Sequence, residues 1–130
     1  MKATRTLGLI MQYQTSDLTI IIPTIKSRKH LLERLIKHLQ KTKVSNIIIV
    51  WDCGSTPPNL KHTFKNLTIV SHTKNRGLSA ARNSGLNRLE TKLGMFIDDD
   101  IIPDFNFVDK IVSFHNRHPE KMTTTLSQVT

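Results

Sequence analysis

The sequence predicts an α/β fold in which a mostly parallel sheet carries helices on both faces. Short, continuous apolar runs recur along the chain, and segments with apolar residues at helical spacing lie between them. Polar or glycine- and proline-containing loops separate the two kinds of segment. A strand that is apolar throughout must be covered on both faces, so such runs are typical of parallel sheets.

Four apolar runs are predicted to be strands, and three segments are predicted to be helices. The predicted strands are Leu18–Ile22, which Pro23 ends, Asn46–Trp51, Leu67–Ser71 and Leu93–Ile97. The predicted helices are one that Ser27 caps and that carries Leu31, Leu32, Leu35, Ile36 and Leu39, one over Ser79–Leu89, and one around Phe107–Phe114. Strands and helices therefore alternate along most of the chain.

Length and composition bound the organisation of the protein. A chain of 130 residues with 38% hydrophobic and 22% charged residues is typical of one globular domain. We expect a lead-in segment over residues 1–16, a domain over residues 17–118 and a polar tail over residues 119–130. The single cysteine, Cys53, excludes an internal disulfide framework and a multi-cysteine zinc site, and fits a reducing compartment.

No apolar run approaches the roughly 20 residues that a membrane-spanning helix needs. The apolar patch Leu7–Met11 is too short for a signal peptide. We therefore expect a cytoplasmic protein. The basic side chains Lys29, Lys37 and Lys41 are most simply a solvated helix face, and they leave open a peripheral contact with anionic lipid.

The charge balance favours anionic partners. The chain has 19 basic and 10 acidic side chains, which gives a net charge of +9. A nucleic-acid-binding protein is one class that fits this charge. The chain has only 7 aromatic residues and no basic run interleaved with them, so surfaces on which bases could stack are scarce. We expect no nucleic-acid partner.

Ligands of open parallel sheets bind outside the carboxyl ends of the strands, and the strongest local signal lies at such an end. Asp98, Asp99 and Asp100 follow the fourth predicted strand directly. In an extended segment alternate residues point the same way, so we expect Asp98 and Asp100 to act together and Asp99 to face elsewhere. Carboxylate oxygens suit Mg²⁺ or Mn²⁺ bridged to substrate phosphates, whereas the simpler alternative is a solvated acidic turn.

Two more strand ends carry groups suited to a phosphorylated ligand. Gly77 permits an unusual turn before a helix whose free N–H groups favour an anion, and Arg76 and Arg82 add positive charge. Asp52 closes the second strand and could accept a hydrogen bond from a base or a ribose hydroxyl. Taken singly, these features are better explained by a helix start with solvated arginines and by a simple Asx turn.

Four stretches in a fixed order carry a resemblance to a known family. They are Thr19–Thr24 (TIIIPT), Ile48–Thr56 (IIVWDCGST), Asn75–Leu86 (NRGLSAARNSGL) and Met95–Asp100 (MFIDDD). Together they resemble family 2 glycosyltransferases of the GT-A fold, a Rossmann-like three-layer sandwich. The resemblance covers residues 17–118.

The resemblance implies an enzyme that transfers a sugar from a nucleotide diphosphate sugar, most often a UDP-sugar, to a glycan, lipid or protein acceptor with Mg²⁺ or Mn²⁺. The residues that it places at the nucleotide sugar are Thr24, Asp52, Asn75, Gly77, Arg82 and Asp98. Asp98 and Asp100 match the DXD motif, with Asp100 at the metal and Asp98 near the ribose and the metal.

The sequence departs from the family at Ile25 and Lys26, where an aromatic residue and an asparagine are usual, and at Cys53, where a second acid is common. The family's domain is roughly twice as long, and the likeness stops one helix after the DXD motif. We therefore expect a domain truncated after that motif, with no visible catalytic base, little transfer by the chain alone, and a dimer or second chain as partner.

The alternative is a non-catalytic module that binds a nucleotide sugar or pairs with another subunit. A phospho-receiver of the doubly wound class is a further alternative. It is disfavoured because the acidic cluster follows the fourth strand rather than the first.

Overall fold

The computed structural model describes residues 12–118, in which a four-stranded sheet lies between helices. The elements are, in chain order, β1 (Leu18–Thr24), α1 (Lys29–Leu39), β2 (Asn46–Trp51), β3 (Asn66–Ser71), α2 (Leu78–Leu86), β4 (Leu93–Phe96) and α3 (Phe107–Arg117). The lead-in predicted over residues 1–16 is described only from residue 12, and the predicted polar tail over residues 119–130 lies outside the described residues.

The strand order is β3-β2-β1-β4, and every neighbouring pair is parallel, which confirms the predicted parallel sheet. The chain runs from β1 through β2 to β3, and then crosses back over β2 and β1 to reach β4. Both connections are expected to be right-handed crossovers. Because they run across the sheet in opposite directions, their helices lie on opposite faces of the sheet. The order of the strands therefore reverses between β1 and β4, where ligands of doubly wound sheets bind.

Two hydrophobic clusters cover the two faces of the sheet. The larger cluster packs alternate residues of β1 and β2, such as Ile20 and Ile49, against the apolar sides of α1 and α3. The smaller cluster packs Ile21, Ile48 and Val50 under Ala81 of α2. Successive residues of β1 and β2 thus enter different clusters, which explains why both strands are apolar throughout.

Two predicted boundaries differ from the observed ones for physical reasons. Pro23 lies within β1 and does not end it, because its missing N–H faces the side on which β4 has already stopped pairing. The first helix is preceded by a 3-10 turn over Lys26–Arg28 and has Arg28 at its N-cap, so Ser27 does not cap it.

The last residues of the lead-in are fixed to the domain. The side-chain oxygen of Asn116 accepts a hydrogen bond from the Tyr13 N–H at 2.6 Å, and its amide donates to the Tyr13 carbonyl at 3.1 Å. Residues Thr15–Asp17 form a 3-10 turn that leads into β1. Within residues 12–118 no helix is both long enough and apolar enough to cross a bilayer.

Candidate functional site

A cleft of about 380 Å³ opens at the carboxyl ends of β1, β2 and β4, at the point where the strand order reverses. It lies between the end of β1, the first turn of α2 and the three consecutive aspartates. Its lining residues are Pro23, Thr24, Ile25, Arg28, Asp52, Asn75, Gly77, Leu78, Ala81, Asp98, Asp99 and Asp100. Segments from four distant parts of the chain therefore meet in one place.

Asp52 follows β2 and is buried, with 3% of the residue exposed. Its Oδ1 accepts hydrogen bonds from Nδ1 of His72 at 2.7 Å and from the Arg76 N–H at 2.8 Å, and its Oδ2 accepts one from the Gly77 N–H at 2.9 Å. Burial alone raises the pKa of Asp52, but these hydrogen bonds outweigh burial and hold the pKa below its ordinary value of 3.8. Asp52 is thus an ionised anchor that ties the 75–77 loop to β2.

Gly77 joins this loop to α2 in a backbone conformation that favours glycine. Its φ is 95° and its ψ is 166°, a region that other residues rarely adopt. Its N–H also donates to the side-chain oxygen of Asn75 at 2.9 Å, and its carbonyl accepts the first hydrogen bond of α2 from the Ala81 N–H at 3.0 Å. Asp52 and Asn75 therefore hold the start of α2 at the wall of the cleft.

The middle aspartate of the acidic turn is the buried one. Asp99 is 3% exposed and accepts hydrogen bonds from the Thr24 hydroxyl at 2.8 Å and from Nε of Arg28 at 2.8 and 3.0 Å. Asp99 lines the same cleft as Asp98 and Asp100, but its carboxylate is turned to Thr24 and Arg28, and the segment is a turn rather than the extended strand on which the expectation rested. The Ile101 N–H donates to the Asp98 carbonyl at 3.1 Å across this turn.

Arg28 supplies positive charge inside the acidic cluster. Its Nη2 lies 2.6 Å from Asp99 Oδ1 and 3.3 Å from Asp100 Oδ2. Hydrogen bonding to Asp99 and attraction to both carboxylates raise the pKa of Arg28 above its ordinary value. The mutual repulsion of the three aspartates is therefore offset in part by a residue from the other side of the cleft.

Asp98 and Asp100 remain accessible, with side chains that are 48% and 57% exposed. Within residues 12–118 no three histidine, cysteine, aspartate or glutamate side chains are grouped so that they could hold a metal ion. Two accessible carboxylates nevertheless suit a hard cation that takes its remaining ligands from water and substrate phosphates.

Arg76 and Arg82 are the predicted residues that do not line the cleft, and Arg82 lies beside it. Nη2 of Arg82 lies 3.7 Å from Oδ1 of Asp98, and its guanidinium carbon lies 5.8 Å from the centre of the Phe96 ring. It therefore reaches the cleft through Asp98. The other predicted residues, Thr24, Asp52, Asn75, Gly77, Asp98 and Asp100, all line the cleft, although the Thr24 hydroxyl is bonded to Asp99.

Sequence reasoning missed Arg28 and Ser84, and it gave His72 no role beyond its place at a strand end. His72 sits at the end of β3, which the strand-end rule marks, but a histidine there carries no spacing signal of its own. Arg28 belongs to a basic segment that looks like a solvated helix face. Its role depends on the 3-10 turn that follows β1, which brings its side chain back toward Asp99.

Comparison with known proteins agrees with this geometry. A family model for glycosyl transferase family 2 matches residues 19–127. The chain belongs to glycosyl transferase family 2. The resemblance noted in the sequence is thereby confirmed, and this family 2 domain includes every residue of the cleft.

Relatives of this family 2 domain are known in sequence and in structure. The pre-mycofactocin glycosyltransferase of Mycobacterium tuberculosis is 29% identical over 100 residues, which cover 74% of this chain and 20% of that protein. Crystal structures of S. aureus TarS share the fold. One TarS structure gives a TM-score of 0.66 at 23% identity, and the match covers 78% of this chain and 20% of that chain.

TarS residues 1–349 in complex with UDP-GlcNAc give a TM-score of 0.68 at 21% identity over 78% of this chain and 32% of that chain. The likeness confirms the GT-A, Rossmann-like fold class. The chain spans about a fifth of the length of the curated relatives that it matches.

Proposed function

We propose that the cleft binds a nucleotide diphosphate sugar, most simply a UDP-sugar, as the donor for glycosyl transfer. The observation that carries this proposal is that the four stretches of the family resemblance meet at a single cleft, where the strand order reverses. The UDP-GlcNAc complex of TarS, a protein of the same fold, supports a donor of this class.

Two regions of the cleft suit two parts of such a donor, the nucleoside and the diphosphate. The nucleoside would lie near Asp52, Asn75 and Gly77, where side-chain and backbone groups can bond with a base or a ribose. The diphosphate would lie near the acidic turn, where Arg28 and Arg82 offer positive charge. Thr24 acts through Asp99, because its hydroxyl is already donated to that carboxylate.

We place Mg²⁺ or Mn²⁺ at Asp100 and Asp98, because these are the accessible carboxylates of the turn. A bound cation would neutralise charge on the leaving diphosphate. Asp99 is excluded as a ligand in this proposal, since Thr24 and Arg28 occupy both of its oxygens. The catalytic base is not assigned. Among the described residues, the remaining carboxylate of the cleft, Asp52, is already bonded to three donors.

Calorimetry with UDP, with and without Mn²⁺, tests the proposal. We expect binding that EDTA weakens at least tenfold, because a diphosphate beside uncompensated carboxylates is repelled. Asp100→Asn should lose the metal-dependent part. Asp104→Asn is the matched control, since its side chain is also 57% exposed and lies outside the cleft. Equal binding in EDTA, or an equal loss in the control, would contradict the proposal.

A non-catalytic module that binds a nucleotide sugar is the second candidate. It is favoured because, within residues 12–118, Asp52 and Asp99 of the cleft are already bonded to donors, and the two accessible carboxylates are the ones placed at the metal. Release of UDP from a UDP-sugar in the presence of an acceptor separates the two candidates. Loss of a general base alone lowers a rate by about 10²–10⁴-fold, so binding without measurable turnover would favour the module.

A further inference from the structure

A buried chain of hydrogen bonds runs behind the cleft from α2 to β2. Ser84 of α2 bonds through its Oγ to Nε2 of His72 at 2.8 Å, and Nδ1 of His72 bonds to Oδ1 of Asp52 at 2.7 Å. The side chains of His72 and Asp52 are only 5% and 4% exposed. Three elements, α2, the end of β3 and the end of β2, are therefore connected through one imidazole ring.

The hydrogen-bond partners decide which ring nitrogen of His72 carries a proton. An ionised carboxylate only accepts hydrogen bonds, so Nδ1 of His72 must carry a proton and donate it to Asp52. In a neutral ring Nε2 then accepts from the Ser84 hydroxyl. A serine hydroxyl can also accept, so the same contacts persist if Nε2 is protonated. The ring orientation is thus fixed at both nitrogens.

His72 does not line the cleft, and it reaches the cleft through Asp52. The oxygen of Asp52 that it holds, Oδ1, is the one that accepts the Arg76 N–H, while the other oxygen accepts the Gly77 N–H. Rotation of the carboxylate would break both backbone bonds. The orientation of Asp52 therefore decides the conformation of the 75–77 loop at the wall of the cleft.

We propose that His72, held by Ser84, is a positioning residue that orients Asp52 and thereby preorganises the 75–77 loop for the nucleoside part of a nucleoside diphosphate. The ligand part of this inference rests on the proposed function, whereas the loop part does not. An ordinary core histidine would contribute to stability, but its loss would not act selectively on the Arg76 and Gly77 amides.

Two substitutions at one position separate the roles. His72→Asn keeps a donor near the position of Nδ1 and loses the bond to Ser84. His72→Phe keeps a ring of similar shape and loses both bonds. Amide hydrogen exchange measured by NMR reports the Arg76 and Gly77 N–H groups without any ligand, and β2 amides such as Ile49 serve as the control for an intact fold.

We expect His72→Phe to speed exchange at Arg76 and Gly77 by about tenfold and to weaken UDP binding by a similar factor, while β2 amides stay protected. His72→Asn should restore both quantities to within about threefold of the wild type, and Ser84→Ala should give an intermediate effect. If His72→Phe fails to fold, the exchange rates at Arg76 and Gly77 in the other proteins decide the question. Rates that rise from the wild type through His72→Asn to Ser84→Ala support the inference, and equal rates in all three overturn it.

Unchanged exchange at Arg76 and Gly77 in folded His72→Phe would overturn the inference. Equal damage in His72→Asn and His72→Phe, with β2 intact, would also overturn it, because a donor at Nδ1 would then be irrelevant. If the wild type does not bind UDP, the proposed function fails. The role of His72 in ordering the loop is then still decided by the exchange rates.

Discussion

Replacing Gly77 by alanine tests whether the 75–77 loop is a strained, preformed wall of the cleft. At φ 95° and ψ 166° an alanine would cost about 1–3 kcal/mol of backbone strain. The added Cβ would meet no atom within 4 Å, so crowding contributes nothing to this cost. Alanine also lowers the conformational entropy of the unfolded chain, which stabilises the folded state by about 0.4–1 kcal/mol. The net loss of stability is therefore about 0.5–2 kcal/mol.

The loss can appear in two ways that different assays separate. If the loop keeps its conformation, the midpoint of thermal unfolding should fall by roughly 4 °C for each kcal/mol. If the loop rearranges, it gives up the bonds from Gly77 to Asp52 and Asn75, both 2.9 Å, and exchange at this amide quickens. In that case UDP binding weakens with little change in the unfolding midpoint.

Gly85→Ala is the matched control, because its added Cβ would crowd neighbouring side chains but would not strain the backbone. Its Cβ would contact Cγ2 of Ile21 and lie 3.3 Å from Cγ2 of Val50, where α2 rests on the sheet. Overpacking of this kind costs about 1–3 kcal/mol and should lower global stability without freeing the loop amides selectively. A Gly77→Ala variant with wild-type stability, exchange and UDP affinity would refute the reasoning.

Two further results are expected from the acidic residues of the cleft. Asp99→Asn should lower the unfolding midpoint by several degrees, whereas Asp100→Asn should leave it unchanged or slightly raised, because only Asp99 is buried against Thr24 and Arg28; the reverse ranking in thermal unfolding would contradict this assignment. Asp52 has a lowered pKa, so its contribution to stability is present above its ordinary value of 3.8 and is lost as the pH falls through the lower folded value. The stability difference between wild type and Asp52→Asn should therefore shrink between about pH 5 and pH 2, and a difference that is constant over this range would contradict the prediction.

Much of the fold follows from local patterns in the sequence. The second strand has the predicted bounds, Asn46–Trp51, because a run of apolar β-branched residues is distinctive whichever neighbours it pairs with. The end of β1 is less predictable. Whether Pro23 ends the strand depends on which side of β1 still has a partner, and only the sheet decides that. The second helix ends at Leu86, before the predicted Leu89, because its last turn opens into the loop that leads to β4.

The sequence alone determined the α/β class, the four parallel strands and the chemistry that gathers at their carboxyl ends. Apolar periodicity and the types of residue after each strand are local properties, so they can be read without knowing any long-range contact. The tertiary structure decided which residues act directly. The turn at Asp98 buries Asp99 against Thr24 and Arg28, and the packing of α2 brings Ser84 to His72 and so fixes Asp52. These partners are 12 to 75 residues apart in the chain, and a hydrogen bond over such a distance exists only after the sheet and helices have packed.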